Sequence, residues 1–292
     1  MAQFEPQGIK KTDITKSSKS PSVSSPGQSA VNTSPLTSPQ QSDFQPAVAP
    51  AIVSSPFPGN EKEIQVEAGG IHYIFSNKGG VLKHILLPRF RNDDGDVIDL
   101  INNPNNLTGA LSIKSDDPEI TSILQNAYYE PSISSIVLDE SNPEGVLILT
   151  LKHESGLEVF REFKFHYNDY AVEVKTRITA SPLAAKNLQY SIILGPGMGG
   201  KISSQTDYIV FSGATVFNNN ERIEHPPEEL NATAYHRGDL KWIAFQNKYF
   251  GSALIPLQGS KAGIVFKEKD QVFIGLESVS YTHLTLPTIY SV

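Results

Sequence analysis

The chain has 292 residues, a net charge of −7 and no cysteine. The acidic balance, with no clustered Lys and Arg, excludes the counterion displacement that nucleic-acid binding needs. The missing thiols exclude disulfides, thiolate catalysis and Cys-ligated zinc. No run is long and apolar enough to read as a membrane span, and no basic start followed by an apolar h-region marks a secretory signal.

Residues 1–60 are rich in Ser, Pro and Gln, as in Ser17-Ser18-Lys19-Ser20-Pro21 and Ser34-Pro35-Leu36-Thr37-Ser38-Pro39. Such a stretch has too little apolar surface to offset its ordering entropy, so a disordered linker is expected. Residues 61–277 are long enough for one substantial core. Turn signals recur there about every ten residues. Ile64-Gln65-Val66 and Ile71–Phe75 alternate as short strands around Gly69-Gly70. Asn77-Lys78-Gly79-Gly80 reads as a turn, and Val81–Leu87 as a strand running on to Pro88. The group Asn92-Asp93-Asp94-Gly95-Asp96 has the carboxylates of a calcium loop but lacks its closing Glu, so a hairpin turn is favoured. Loops and short edge strands are expected over 101–130.

The clearest β signal spans 146–194. Val146–Leu151 is apolar on both faces save Thr150, as a central strand would be. Leu157, Val159, Arg161, Phe163 and Phe165 alternate with Glu158, Phe160, Glu162, Lys164 and His166. After Asn168-Asp169, the series Tyr170, Val172, Val174, Thr176 and Ile178 alternates with polar residues. Leu188, Tyr190, Ile192 and Leu194 repeat the pattern. A period of two held this long means long antiparallel strands with one wet face.

Gly195-Pro196-Gly197-Met198-Gly199-Gly200 literally fits G-x-G-x-x-G, but no amphipathic helix or βαβ unit surrounds it. A plain loop is favoured over a dinucleotide cradle. Strands are expected at Tyr208–Phe211, Gly263–Lys267 and Val272–Leu276, with a single helical turn at Pro226–Leu230. His225, Glu228, Glu229, His236 and Asp239 have the side chains for a metal or an acid–base pair. Their spacings match no ligand motif, and an exposed acidic loop is favoured. No nucleophile elbow and no H-E-x-x-H helix is present.

Trp242–Phe245 and Tyr249–Ile255 are apolar arms around a polar Gln246-Asn247-Lys248 break, closed by Pro256. A β-hairpin is favoured, with Trp242, Phe245, Tyr249 and Phe250 buried together; one amphipathic helix is the rival. The residues alone thus give an all-β fold, a large sandwich of antiparallel sheets with no persuasive active site.

Four segments carry a likeness in order and spacing. They are Asn77-Lys78-Gly79-Gly80-Val81 with Leu86-Leu87-Pro88, then Asn168-Asp169-Tyr170 with its long strand, then Phe211-Ser212-Gly213-Ala214, and last Trp242 through Tyr249-Phe250 to Pro256. Over about 61–277 the chain resembles the periplasmic domain of the YidC/Oxa/Alb insertase family. The resemblance implies a twisted super-sandwich shared with sugar mutarotases, and Gly79, Gly80, Pro88, Asp169, Tyr170, Trp242, Tyr249, Phe250 and Pro256 as its core motif positions. It implies no cofactor, no covalent step and no small-molecule substrate. The partners would be nascent membrane proteins and the Sec translocon, met through a full-length inner-membrane protein. That protein's first helix and five-helix insertase core are missing here, so this stretch would be a soluble fragment, a periplasmic spacer and docking domain. The candidate contact loops are Gly195, Gly197 and Gly200, and Asn218, Glu221 and Glu228. Residues 278–292 match neither the family nor the preceding alternation and are expected to be foreign to the domain. The rival from another class is a sugar-binding or sugar-epimerising mutarotase-type sandwich. It needs His84, His166 or His236 beside Glu162 or Glu173 in a cleft with an exposed aromatic. A lipoprotein-like scaffold would need a lipobox cysteine, which the chain lacks.

Overall fold

The computed structural model describes residues 59–92, 94–101, 103, 108–180, 188–196, 211–257 and 262–279. The expected linker, most of the glycine loop (Gly197 and Gly200 included), positions 208–210 and residues 280–292 lie outside the described residues.

Four sheets form two stacked pairs. The first sheet runs β4 (Val97–Asp99), β3 (Val81–Arg91), β2 (His72–Ser76), β1 (Glu63–Ala68) and β7 (Ser135–Leu138). The second runs β10 (Val172–Thr179), β9 (Glu158–His166), β8 (Glu144–Lys152) and β6 (Glu130–Pro131). Their inner faces meet through aromatic rings, with Phe75 4.8 Å from Phe163 and Tyr73 5.3 Å from Phe165, centroid to centroid. Gly145 on β8 faces Ile136 and Leu138 of β7, where a Cβ would come within 3 Å of side-chain carbon.

The third sheet runs β14 (Ala234–Arg237), β17 (Ala262–Glu268), β18 (Gln271–Val279), β11 (Gln189–Leu194) and β5 (Ser112–Ser115). The fourth runs β13 (Glu221–His225), β12 (Gly213–Asn218), β15 (Leu240–Gln246) and β16 (Gly251–Leu254). Gly263 lets β17 approach Leu240 and Ile243 of the facing sheet. Forty-odd side chains from all four sheets make one continuous apolar core. The protein is therefore an all-β sandwich of antiparallel sheets, with one parallel pairing, β1 with β7.

Period-two patterning accounts for the second sheet. On β10 the buried residues are Val172, Val174, Thr176 and Ile178; on β9 they are Val159, Arg161, Phe163 and Phe165. β8 departs from the expectation of burial on both faces. Its neighbour β6 is only two residues long, so Val146 is 41% exposed and Ile148 and Thr150 are half-buried. β3 runs past Pro88 to Arg91, and its register to β4 shifts between Leu87 and Arg91, which suits a residue that cannot donate to a ladder. The Asn92–Asp96 stretch is a turn, with the Asn92 side chain accepting from the Asp96 N–H at 2.7 Å. β18 runs to Val279, two residues past the expected boundary at 277, and pairs with Gln189 there.

The interval 101–130 holds the expected edge strand, β5, and also an unexpected helix, α1 (Pro118–Asn126). Asp117 caps it, accepting from the Glu119 and Ile120 N–H groups at 2.8 and 3.2 Å. Pro118 sits in the first turn, where it gives up no hydrogen bond. Ile123 and Leu124 are the buried pair, too few to show as a periodic stripe. The substitution Asp117→Ala is expected to lower stability by about 1 kcal/mol, read as a shift in urea midpoint with an unchanged slope. An unchanged midpoint would mean that packing alone fixes the helix.

Candidate functional site

The hairpin of β15 and β16 carries the densest aromatic group. Asn247 makes the turn: its side chain accepts from the Tyr249 and Phe250 N–H groups at 2.9 and 2.8 Å, and its own N–H donates to the Phe250 carbonyl. This is the favoured hairpin, in which Phe245 pairs with Ser252. The expected common burial of four aromatics is corrected. Along β15 the side chains alternate, so Ile243 and Phe245 enter the core while Trp242, Ala244 and Gln246 take the outer face. Trp242 is half-buried and stacks on Phe217 at 5.7 Å. Tyr249 is 46% exposed.

The outer face is concave. A hollow of about 410 Å³ is lined by Ala244, Gly251 and Ala253 together with Trp242, Tyr249 and Phe250. Phe90, at the end of β3, stands edge-on to Phe250 at 6.5 Å and is 42% exposed. The Lys248 ammonium lies 5.1 Å from the Tyr249 ring centroid. Large rings and small residues line the hollow together, with Lys248 among them.

The other motif positions divide by role. Gly79 and Gly80 are buried, both in the left-handed region (φ 67° and 58°), and turn the chain from β2 into β3. Asp169 is exposed, and its carboxylate accepts from the Ala171 N–H at 2.9 Å to shape the turn before β10. Pro88, Tyr170, Phe250 and Pro256 are half-buried. Pro88 lies within β3, and Tyr170 and Phe250 pack against the apolar core from their half-buried positions.

Of the candidate contact loops, only Gly195 of the glycine loop is described, with its α-carbon against the Phe273 ring. The Asn218–Glu229 stretch is a hairpin and a turn, not an open loop, because β13 pairs with β12 along its length. Asn218 is buried, and its amide donates to the Arg237 carbonyl at 3.1 Å. Glu221 and Glu228 are exposed. The expected turn after β13 is present, closed by Glu229 N–H donating to the Pro226 carbonyl.

A pairing not foreseen from spacing joins His225 and His236. Their Nε2 atoms are 2.8 Å apart. Burial holds both imidazoles below their usual range, His225 adding to the effect on His236. Their contact follows from two edge strands meeting across different sheets, which no local signal reveals.

The pieces of a sugar site do not assemble. His84 Nδ1 lies 2.6 Å from Asp99 on the rim of a polar groove of about 640 Å³. Asp99, however, is committed to the Ile85 and Ile101 N–H groups, and among the described residues no Phe, Tyr or Trp lines the groove. His166 lies between Glu144 and Glu173 at 3.4 and 3.9 Å on an open sheet face, and Glu162 pairs with Lys175. Among the described residues, no group of three or more His, Asp or Glu is placed to hold a metal, and no helix is long and apolar enough to cross a membrane.

One buried cation stands apart. Arg161, 0% exposed, donates from its two terminal nitrogens to the Gly80 carbonyl at 2.6 Å and the Leu111 carbonyl at 2.7 Å. It also lies 5.0 Å from the Phe163 ring centroid. Desolvation lowers the guanidinium to about 10, against which Tyr129 and Tyr190 act weakly. Arg161 ties β9 to the β2–β3 turn and to the chain entering β5, and so joins three sheets.

With this geometry in view, comparison with known proteins gives a consistent result. The family model for the YidC periplasmic domain matches residues 63–288. The chain is 27% identical over 254 residues to a membrane protein insertase YidC of Pelodictyon phaeoclathratiforme, covering 82% of this chain and 42% of that protein. It is 24% identical to one from Geobacter sulfurreducens (66% and 36% covered) and 22% identical to one from Cupriavidus metallidurans (86% and 43%). The chain thus spans about two fifths of the length of these curated relatives. Among solved structures it is similar to a galactose mutarotase-like protein from Lactobacillus casei (TM-score 0.48, 10% identity, 74% of this chain and 87% of that one). It is also similar to a putative aldose 1-epimerase from Escherichia coli (TM-score 0.40, 11% identity, 80% and 100%). At that distance no sugar chemistry passes to this chain.

Proposed function

The chain belongs to the YidC periplasmic domain family, and on that premise we propose that it is the extracytoplasmic spacer and docking domain of a membrane protein insertase. The match over residues 63–288 carries this reading. In it, residues 1–60 act as a tether, and membrane attachment comes from helices outside these 292 residues. The domain performs no covalent chemistry. It holds a partner, such as a component of the Sec translocon, near the insertase while nascent membrane proteins enter the bilayer. The hollow lined by Trp242 and Tyr249 supports the docking role, since a half-buried Trp beside an exposed Tyr presents the side chains that dominate protein contacts. The charged edge at Glu221 and Glu228 is the second contact surface.

The test is binding of the purified chain to a Sec translocon in lipid nanodiscs. Saturable binding is expected, weakened about tenfold by the pair W242A and Y249A and by E221K with E228K to a smaller degree. Binding that is absent, or indifferent to both pairs, would remove the docking role. Polarimetry with freshly dissolved aldoses should show mutarotation at the buffer rate; acceleration would restore the sugar reading.

A further inference from the structure

His225 and His236 are placed by the fold at the open edge between two stacked sheets. In the antiparallel register His225 stands opposite Ala214 of β12, and His236 stands opposite Gly263 of β17. Directly opposed residues point to the same face. Ala214 is fully buried, and a Cβ at Gly263 would meet Leu240 and Ile243, so both rings turn toward the inter-sheet space. Each ring nevertheless remains half-exposed, so solvent reaches the pair.

We propose that His225 and His236 form a two-imidazole chelate for a divalent transition metal ion, Cu(II) or Ni(II), that clips β13 to β14. Two cis nitrogen donors at about 2.0 Å in a square-planar or tetragonal field lie about 2.8 Å apart, whereas a tetrahedral ion asks for about 3.3 Å. The observed Nε2–Nε2 separation of 2.8 Å is that of the N–H···N bond between the rings, and with centroids 4.9 Å apart a swing of each ring off the shared axis brings both nitrogens onto one tetragonal ion. With no ion bound, one Nε2–H donates to the other Nε2. Metal binding needs both Nε2 lone pairs, so the donating ring moves its proton to its own Nδ1 through solvent, and no net proton is released from the neutral pair. Burial favours that neutral pair.

Two of the nearby charges have other engagements. Glu224 is held by Arg222 at 2.6 Å, and the Lys267 ammonium donates to the Pro227 carbonyl at 2.9 Å, pinning the connection between the two strands. Water, or an exposed carboxylate of Glu228 or Glu229 from the connecting turn, fills the remaining positions, and the affinity should be micromolar rather than that of a closed structural site.

The full chain is titrated with CuSO4 and with NiCl2 at pH 7.5, followed by calorimetry and, for copper, electron paramagnetic resonance. One equivalent is expected to bind, copper more tightly than zinc, with hyperfine structure from two equivalent nitrogens. H225A and H236A should each weaken binding at least tenfold, while H166A leaves it unchanged. Binding that survives H225A/H236A, a one-nitrogen spectrum, or no saturable binding would overturn the site. If a variant fails to fold, ring NMR of the unaltered chain decides. Ni(II) should broaden His225 and His236 ahead of the other five histidines of the seven, and broadening spread elsewhere refutes the chelate.

Discussion

Replacing Arg161 with alanine is expected to lower the stability of the domain by about 3 kcal/mol, the largest effect of any single side chain outside the aromatic core. Two effects oppose each other. The cation itself is disfavoured in the interior, as its lowered pKa of about 10 records, so losing the charge is a gain. Against that, the Gly80 and Leu111 carbonyls lose their donors, at about 1–3 kcal/mol for each buried orphan, and the emptied volume adds a cavity term. Leu111 sits in the left-handed region, with φ of 61°, so its donor holds a carbonyl in a place a non-glycine backbone reaches reluctantly. Arg161→Met fills the space without supplying donors and should recover only part of the loss. Urea unfolding of the three proteins separates these effects. A methionine variant as stable as the parent would show that the carbonyl bonds contribute nothing net.

Gly79→Ala should follow closely, with a loss of about 2–4 kcal/mol. A Cβ there would stand 2.6 Å from the Gln125 carbonyl oxygen at the end of α1. Backbone cannot swing aside as a side-chain tip can. The Gly79 N–H bond to the Ala127 carbonyl, 2.9 Å long, would be strained with it. The neighbouring Gly80→Ala is the control. Its φ is similar, but its nearest atom would be 3.4 Å away, so only the left-handed penalty of about 1–2 kcal/mol applies. Equal losses at the two positions would mean that conformation, not contact, sets the glycine pair.

These two sites also mark how far the letters alone could go. The alternation from Leu157 to Phe165 placed Arg161 among inward-facing residues, because a strict period of two leaves no other face. What it could not supply was the pair of carbonyls, which come from turns 81 and 50 residues away in sequence. The Asp117-Pro118-Glu119 start of α1 was readable as a cap, a proline in the first turn and an early acid. That start does not announce a helix by itself, because a nine-residue helix burying two side chains shows almost no periodicity. Trp242 was misplaced for a simpler reason. Density of apolar letters suggested a core, yet alternation along β15 sends Trp242 and Phe245 to opposite sides. The His225–His236 contact depends on which edge strands of separate sheets meet, and nothing local encodes that.

The placement of β1 has a mechanical consequence. It is an interior strand, bonded to β2 on one side and, in parallel, to β7 on the other. β18, the last strand, is likewise flanked on both sides, by β17 and β11. A pull arriving through either terminus therefore loads two ladders in shear at once, instead of unzipping an edge one bond at a time. A domain strung this way transmits tension along its neighbours before it yields.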